Sequence, residues 1–335
     1  PGKGILAADE SGATCGKRFE AVGVESTEEN RRAYRELFLA APGAEQYISG
    51  VILYDETIRQ KASDGVPFAD FLASRGILPG IKVDGGVKDL ALHPNEKVTE
   101  GLDGLRERLA EYAQMGAKFA KWRAVITIGE SDSLRMPSAA CIHANAHALA
   151  RYAALCQEAG IVPMVEPEVL IDGDHTIERS YEASAATLKK VFEVMKDQGV
   201  VFPGAILKAS MVIAGTKAAK QSTSQEVAEA TIRCLKENVP ADLAGVVFLS
   251  GGQSDETASA NLDAMNKMKE KTGGVPWPLT FSYARALQSQ PLKIWAKDIA
   301  ANVGPAREAF LFRAKMNALA AQGKYETTME TGRPY

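Results

Sequence analysis

Short apolar runs recur along the chain, each followed by polar residues and then by a helical pattern. In order they are Gly4–Asp9, Gly50–Tyr54, Gly80–Asp84, Phe119–Val125, Val162–Glu168, Ala205–Lys208, Gly245–Ser250 and Leu279–Tyr283. Short runs bounded by Gly or Pro and rich in β-branched residues read as buried parallel strands. Their starts lie about 30–45 residues apart, enough for a crossover helix in each interval. The intervals carry the matching periodicity. Leu102, Leu105, Leu109 and Tyr112 share one helix face, with Gly116 as a stop. Ile142, Ala146, Leu149, Ala153 and Cys156 form a second stripe, stopped by Gly160. Ser254 reads as an N-cap, with Asp255 and Glu256 suited to the positive helix start. Ala258, Leu262, Met265 and Met268 then form a third stripe. Eight strand–helix units predict an α/β fold, a single-domain (β/α)8 TIM barrel over residues 1–325. Residues 326–335 are expected to form a mobile C-terminal tail. An open doubly wound sheet is the alternative, but no GxGxxG follows a strand.

Bulk composition narrows the partners. The 335 residues are 46% hydrophobic and 24% charged, with a formal net charge of −3. That balance favours neither nucleic acid nor an anionic membrane as a main partner. No segment approaches the ~18 uninterrupted apolar residues of a membrane span. Cys15, Cys141, Cys156 and Cys234 are far apart and form no CxxC pair, so they read as thiols in a reducing compartment. The chain starts at Pro1 rather than Met, which predicts a missing N-terminal segment and, with it, any targeting signal.

The strand ends carry residues that a core does not need. The first run ends in Asp9–Glu10–Ser11 and the third holds Lys82 and Asp84. The fourth holds Lys121 and Arg123, the fifth Glu166 and Glu168, and the sixth ends in Lys208. Residues i and i+2 share a strand face. Each of these pairs therefore points the same way, and the outward way would bury charge under helices at high cost. Pointing inward, Asp9, Asp84, Glu166 and Glu168 converge on Lys82, Lys121, Arg123 and Lys208. Buried ion pairs stabilise poorly compared with apolar packing, so this accumulation at the catalytic end of a barrel points to function rather than to a structural network.

Two features suggest phosphate. Ser250–Gly251–Gly252 is a glycine turn between a strand and a helix, whose N–H groups suit an anion. Arg285 follows Ser282 at the eighth strand, where barrels commonly complete a phosphate site. Ser11, Lys17 and Arg18 form a second cationic candidate. Together they imply a substrate with two anionic ends.

At these residues the chain resembles class I fructose-bisphosphate aldolase. The likeness spans nearly the whole sequence: GKGILAADES (2–11), TEENRRAYRE (27–36), GIKVD (80–84), FAKWR (119–123), IVPMVEPE (161–168), FLSGGQS (248–254) and FSYARAL (281–287). The resemblance implies that Lys208 is the Schiff-base lysine and Glu166 the acid–base glutamate, with Glu168 close by. It implies that Asp9 handles the C4 hydroxyl and that Lys121 and Arg123 are the lysine and arginine of the family's KWR motif. Sugar- and phosphate-binding positions correspond to Ser11, Arg18, Lys82, Ser250, Gly251, Gly252, Ser282 and Arg285. Three departures stand out. Ala209 and Ser210 follow the lysine where the family usually has proline first, Gly85 stands where many members have lysine, and the tail beyond 323–325 is short, which leaves Tyr335 unassigned.

These residues support a mechanism. Burial and a neighbouring cation such as Lys121 lower a lysine pKa by up to ~3–5 units and make Lys208 nucleophilic. Lys208 is then expected to attack the C2 ketone of fructose 1,6-bisphosphate. Glu166 shuttles protons, and Asp9 takes the C4 hydroxyl proton as the C3–C4 bond breaks. Arg285 and Ser250–Gly252 hold the C1 phosphate; Arg18, Ser11 and Lys82 hold the C6 end, which fixes the reacting carbons. No cofactor and no metal are expected. Zinc-dependent cleavage requires clustered histidines, and only His143 and His147 offer an i, i+4 pair. A scaffold retaining an aldolase fold is the other alternative. The family resemblance implies a homo-oligomer, commonly a tetramer, in glycolysis and gluconeogenesis. It implies a cytoplasmic location and leaves a plastid one open, and it leaves the preference between the bisphosphate and fructose 1-phosphate open.

Overall fold

A computed structural model describes residues 2–131, 134–271 and 273–335. Eight strands close into a parallel barrel: β1 (Gly4–Ala8), β2 (Ile48–Leu53), β3 (Leu78–Lys82), β4 (Phe119–Ile126), β5 (Val162–Val169), β6 (Ile206–Ala209), β7 (Gly245–Phe248) and β8 (Leu279–Tyr283). Each pairs with its neighbours in sequence, and β8 closes on β1. Helices of nine or more residues are α1 (Gly12–Glu20), α2 (Glu28–Leu39), α3 (Leu105–Gln114), α4 (Ala139–Glu158), α5 (Ile177–Asp197), α6 (Ser224–Asn238), α7 (Asp255–Lys271), α8 (Arg285–Trp295) and α9 (Val303–Ala320). Two short helices, Asp55–Ile58 and Phe68–Ser74, make the crossover from β2 to β3. The closed order excludes the open doubly wound sheet.

The strand periodicity of two decides what the barrel holds. Ile5, Ala7, Ile52, Phe119, Met164 and Val247 form a separate apolar cluster inside the barrel, toward the strand N-termini. Their alternates, among them Leu6, Val51, Trp122, Val165, Leu207 and Phe248, pack under the helices in the main core. Continuing the inward parity toward the strand C-termini gives Asp9, Lys82, Lys121, Glu166 and Lys208. The barrel is thus apolar below and charged above along the same inward rows.

Gly50 and Gly80 make room for the lower layer. A Cβ on Gly80 would lie 2.3 Å from Cζ of the Phe119 ring, and one on Gly50 3.2 Å from it. Gly80→Ala is therefore expected to cost ~1–3 kcal/mol through overpacking against a ring that has no free space. Thermal unfolding checks this, and Phe119→Leu in the same chain should recover part of the loss.

Two details differ from the pattern read along the chain. Leu102 lies before α3, which is preceded by Gly104 in a left-handed conformation (φ 69°). Two antiparallel ribbons, Val87–Asp89 with Lys97–Thr99 and Gly129–Ser131 with Leu134–Met136, sit in the loops after β3 and β4. Three-residue strands are too short to show alternation. The expected cap at Ser254 is present, its Oγ accepting from Thr257 N at 3.1 Å.

The last residues pack against α9. Thr327–Gly332 forms a 3-10 turn whose Glu330 accepts Arg313 Nη1 at 2.7 Å on both oxygens and Tyr325 Oη at 2.8 Å. The Tyr335 ring meets Phe312 edge-on, with centroids 6.3 Å apart.

Candidate active site

The C-terminal ends of the strands open into a cavity of about 660 Å³. Every residue singled out above as catalytic or substrate-binding lines it except Gly252: Asp9, Ser11, Arg18, Lys82, Lys121, Arg123, Glu166, Glu168, Lys208, Ser250, Gly251, Ser282 and Arg285. Lys17 points to solvent and is not part of the lining. A second cavity of about 680 Å³ lies on the outer surface between α6, α7 and residues 325–328, away from the strand ends.

A chain of contacts links the charges across the barrel. Lys121 Nζ lies 2.7 Å from Asp9 Oδ2 and 3.2 Å from Glu166 Oε2. Both contacts are ion pairs, and among the described residues Glu166 Oε2 has no hydrogen-bond donor. The other oxygen, Oε1, lies 3.3 Å from Lys208 Nζ. Glu166 therefore bridges two lysines whose side chains, like its own, are nearly removed from solvent. The register of β4 and β5 pairs Lys121 with Met164 and Arg123 with Glu166, so the Lys121–Glu166 contact runs diagonally between two inward rows.

The electrostatics follow from the contacts. Burial alone would raise the Asp9 carboxyl, but the positive charges of Lys121 and Lys208 outweigh it and hold Asp9 at about 2. Burial alone would lower Lys121. The carboxylates of Asp9, Glu166 and Asp84 reverse that and push its ammonium above the ordinary lysine range. Lys121 is therefore a fixed positive charge and Asp9 a fixed negative one.

Asp84 is a hub. It contacts Lys82 Nζ at 3.0 Å and accepts Arg123 N at 3.1 Å and Gly86 N at 3.2 Å. Arg123 Nε donates to Glu168 at 2.5 Å, which occupies Glu168 with a partner other than Lys208. On the opposite wall, Gly251 (φ 59°) and Gly252 (φ 91°) both need left-handed backbone, which explains the glycine pair after β7. A Cβ on Gly252 would lie 3.3 Å from Arg285 Nη2, so the turn and the guanidinium lie side by side. The buried Ser282 hydroxyl has no partner among the described residues. This wall offers backbone N–H groups, a hydroxyl and a guanidinium to one anion.

The departures near Lys208 have local explanations. Ala209 extends β6 by one residue, and its carbonyl accepts Leu249 N at 3.1 Å. Ser210 Oγ accepts Val169 N at 2.9 Å and donates to Val169 O at 3.0 Å, tying the end of β6 to β5. At Gly85 a Cβ would meet the Glu100 carbonyl at 3.2 Å, so a larger residue needs that backbone to give by a few tenths of an ångström. His143 and His147 lie on the exposed face of α4, and the cavity lining contains no histidine or cysteine.

Glu10, named in the sequence as part of a strand end but without a role, and Thr14 and Gln288, not singled out there, also belong to this region. Glu10 and Thr14 line the cavity, and Glu10 and Gln288 both bond Arg18. Arg35, deep in the α2 packing face, was the available sign: a fully buried arginine requires an acid nearby.

A closed parallel barrel with a cavity of paired acids and bases at its strand C-termini defines a (β/α)8-barrel enzyme. Comparison with known proteins gives the family. The model of the family "fructose-bisphosphate aldolase class-I" matches residues 1–334. A protein of Xanthomonas campestris pv. campestris named "probable fructose-bisphosphate aldolase class 1" is 60% identical over 97% of this chain and 95% of its own. Cytosolic fructose-bisphosphate aldolase 6 of Arabidopsis thaliana is 49% identical over 99% and 90%. The solved fructose-bisphosphate aldolase of Plasmodium falciparum superposes with a TM-score of 0.93 at 47% identity, over 97% and 92%. The chain belongs to the class-I fructose-bisphosphate aldolase family of carbon–carbon lyases.

Proposed function

We propose that the chain cleaves fructose 1,6-bisphosphate reversibly to dihydroxyacetone phosphate and glyceraldehyde 3-phosphate through a Schiff base on Lys208. The observation that carries this reading is the Lys121–Glu166–Lys208 chain, with Asp9 on the far side of Lys121. Lys208 Nζ, stripped of its proton, attacks the C2 ketone. Glu166, 3.3 Å from it, takes and returns the protons that convert the carbinolamine to the iminium with loss of water. The iminium accepts the electron pair of the C3–C4 bond. Asp9, ionised at any ordinary pH, removes the C4 hydroxyl proton, and the aldehyde leaves. Protonation and hydrolysis of the enamine then release dihydroxyacetone phosphate and free Lys208.

Lys121 keeps Asp9 and Glu166 at fixed positions while protons move. Arg285, Ser282 and the Ser250–Gly252 turn hold the C1 phosphate; Ser11, Arg18 and Lys82 hold the C6 phosphate, and Arg123 with Glu168 completes the wall between them. Two held ends bring the reacting carbons to Lys208 without further loss of freedom.

Cleavage is measured by coupling glyceraldehyde 3-phosphate to a dehydrogenase. With the enzyme treated with EDTA and freed of chelator, the rate should be unchanged, because the lining supplies carboxylates and amines but no histidine for zinc. A rate that vanishes and returns with zinc contradicts the lysine mechanism. The intact set of charged residues argues against an inactive scaffold.

The same reading includes a place in glycolysis and gluconeogenesis and a homotetramer or other homo-oligomer, as is common in the family. Cytosolic relatives in Arabidopsis thaliana and Spinacia oleracea support a cytoplasmic location. No helix among the described residues is long and apolar enough to cross a membrane. Mobility of the tail, residues 326–335, belongs to the proposal too, and requires Glu330 to leave Arg313.

A further inference from the structure

Among the described residues, Glu10 is the one carboxylate of the cavity wall that faces two arginines. Arg35 Nη1 donates to Glu10 Oε2 at 2.7 Å, and Arg35 Nη2 donates to the Glu10 carbonyl at 2.7 Å. Both side chains are almost fully buried, 3% and 4% exposed. The other carboxylate oxygen, Oε1, accepts Arg18 Nη1. A second tether meets the same nitrogen: Arg18 Nη1 donates to Gln288 Oε1 at 3.0 Å. The buried Gln288 amide has a defined orientation, because its Nε2 donates at 3.0 Å to the carbonyl of Ala7, which can only accept.

Burying this much charge is costly, and apolar residues would stabilise the same space as well or better. The arrangement makes sense for what it does to Arg18. Glu10 and Gln288 both hold Nη1, and neither touches Nε or Nη2. Arg18 lines the cavity, so one edge of its guanidinium is anchored to the loop after β1 and to α8 while the other edge has no partner among the described residues. A free arginine on α1 has many rotamers; this one is aimed. Two parallel donors on a fixed plane are the arrangement that recognises a phosphate bidentately.

We propose that Glu10, held by Arg35 and assisted by Gln288, is a positioning residue that aims Arg18 at the substrate's C6 phosphate and so sets the preference for a bisphosphate over a monophosphate. The inference rests on the lysine mechanism above and on Arg18 serving the C6 end. Glu10 does not touch the reacting carbons. Its effect therefore belongs in binding of the distal phosphate and not in the chemistry at C2.

The test compares fructose 1,6-bisphosphate with fructose 1-phosphate, which lacks the group that Arg18 would meet. For Glu10→Gln, the ratio of kcat/KM for the bisphosphate to that for the monophosphate should fall ~10-fold, mainly through the bisphosphate KM. Gln288→Leu should move the ratio in the same direction, and it carries the decision if melting curves show that Glu10→Gln does not fold. In an Arg18→Met background, Glu10→Gln should shift the ratio no further, because the residue it acts through is gone. Equal losses on both substrates would mean that Glu10 only supports the fold. A lower bisphosphate KM in Glu10→Gln would mean that Glu10 competes with the phosphate; either result overturns the proposal. Borohydride trapping with dihydroxyacetone phosphate separates the two readings. Wild type that traps nothing at Lys208 defeats the lysine mechanism, whereas normal trapping with an unmoved ratio defeats only the positioning role.

Discussion

Lys208→Met should lower fructose 1,6-bisphosphate cleavage by about 10⁵-fold or more, since a covalent route loses its only nucleophile. Methionine keeps the unbranched shape and removes the nitrogen. Glu166 retains its ion pair with Lys121 at 3.2 Å, so the loss of Lys208 leaves no carboxylate without a cation. The variant should fold, bind the bisphosphate through both phosphate sites, and turn it over at a rate near background. A melting temperature close to wild type beside a lost kcat distinguishes loss of chemistry from loss of fold. Substantial residual activity would mean that another amine does the work.

Lys121→Met should damage both stability and rate. Among the described residues Lys121 is the only cation in direct contact with both Asp9 and Glu166, and its removal leaves Asp9 without its closest partner. Breaking a buried pair from one side costs ~3–5 kcal/mol. The pH dependence has a definite sign. Asp9 is held at about 2, below its ordinary value of 3.8, so its contribution to stability is complete above about pH 4 and is lost as pH falls through 2. Without Lys121 most of that contribution is already absent at neutral pH, so the variant should be less stable there and should lose less stability between pH 4 and 2 than wild type. Activity should fall by ~10²–10⁴-fold, because Asp9 and Glu166 lose the charge that fixes their proton-transfer positions. Acid titrations followed by circular dichroism, alongside kcat, test both parts.

Much of this architecture was legible in the order of residues. The eight runs were readable because a parallel barrel buries both faces of every strand, so each strand is a short apolar block with a sharp polar end. The i, i+2 charges at Lys82/Asp84, Lys121/Arg123 and Glu166/Glu168 were readable because parity alone places both members of a pair on one face. The Glu10–Arg18–Arg35–Gln288 network was not. Its members come from the loop after β1 and from α1, α2 and α8, and no local spacing links residue 10 to residue 288. The role of Ser210 was hidden for the same reason: it acts on Val169 of the neighbouring strand, 41 residues away. The two ribbons escaped notice because three residues per strand carry no period. Leu102 matched the helix stripe in sequence, yet a left-handed Gly104 starts α3 beyond it.

The central claim is that Lys208 forms the covalent intermediate. Its most direct measurement is borohydride reduction of the enzyme in the presence of dihydroxyacetone phosphate, followed by peptide mass mapping. The lysine mechanism predicts one stable adduct per chain, on Lys208, absent from Lys208→Met. No adduct, or an adduct on Lys82, Lys121 or another lysine in its place, would contradict it.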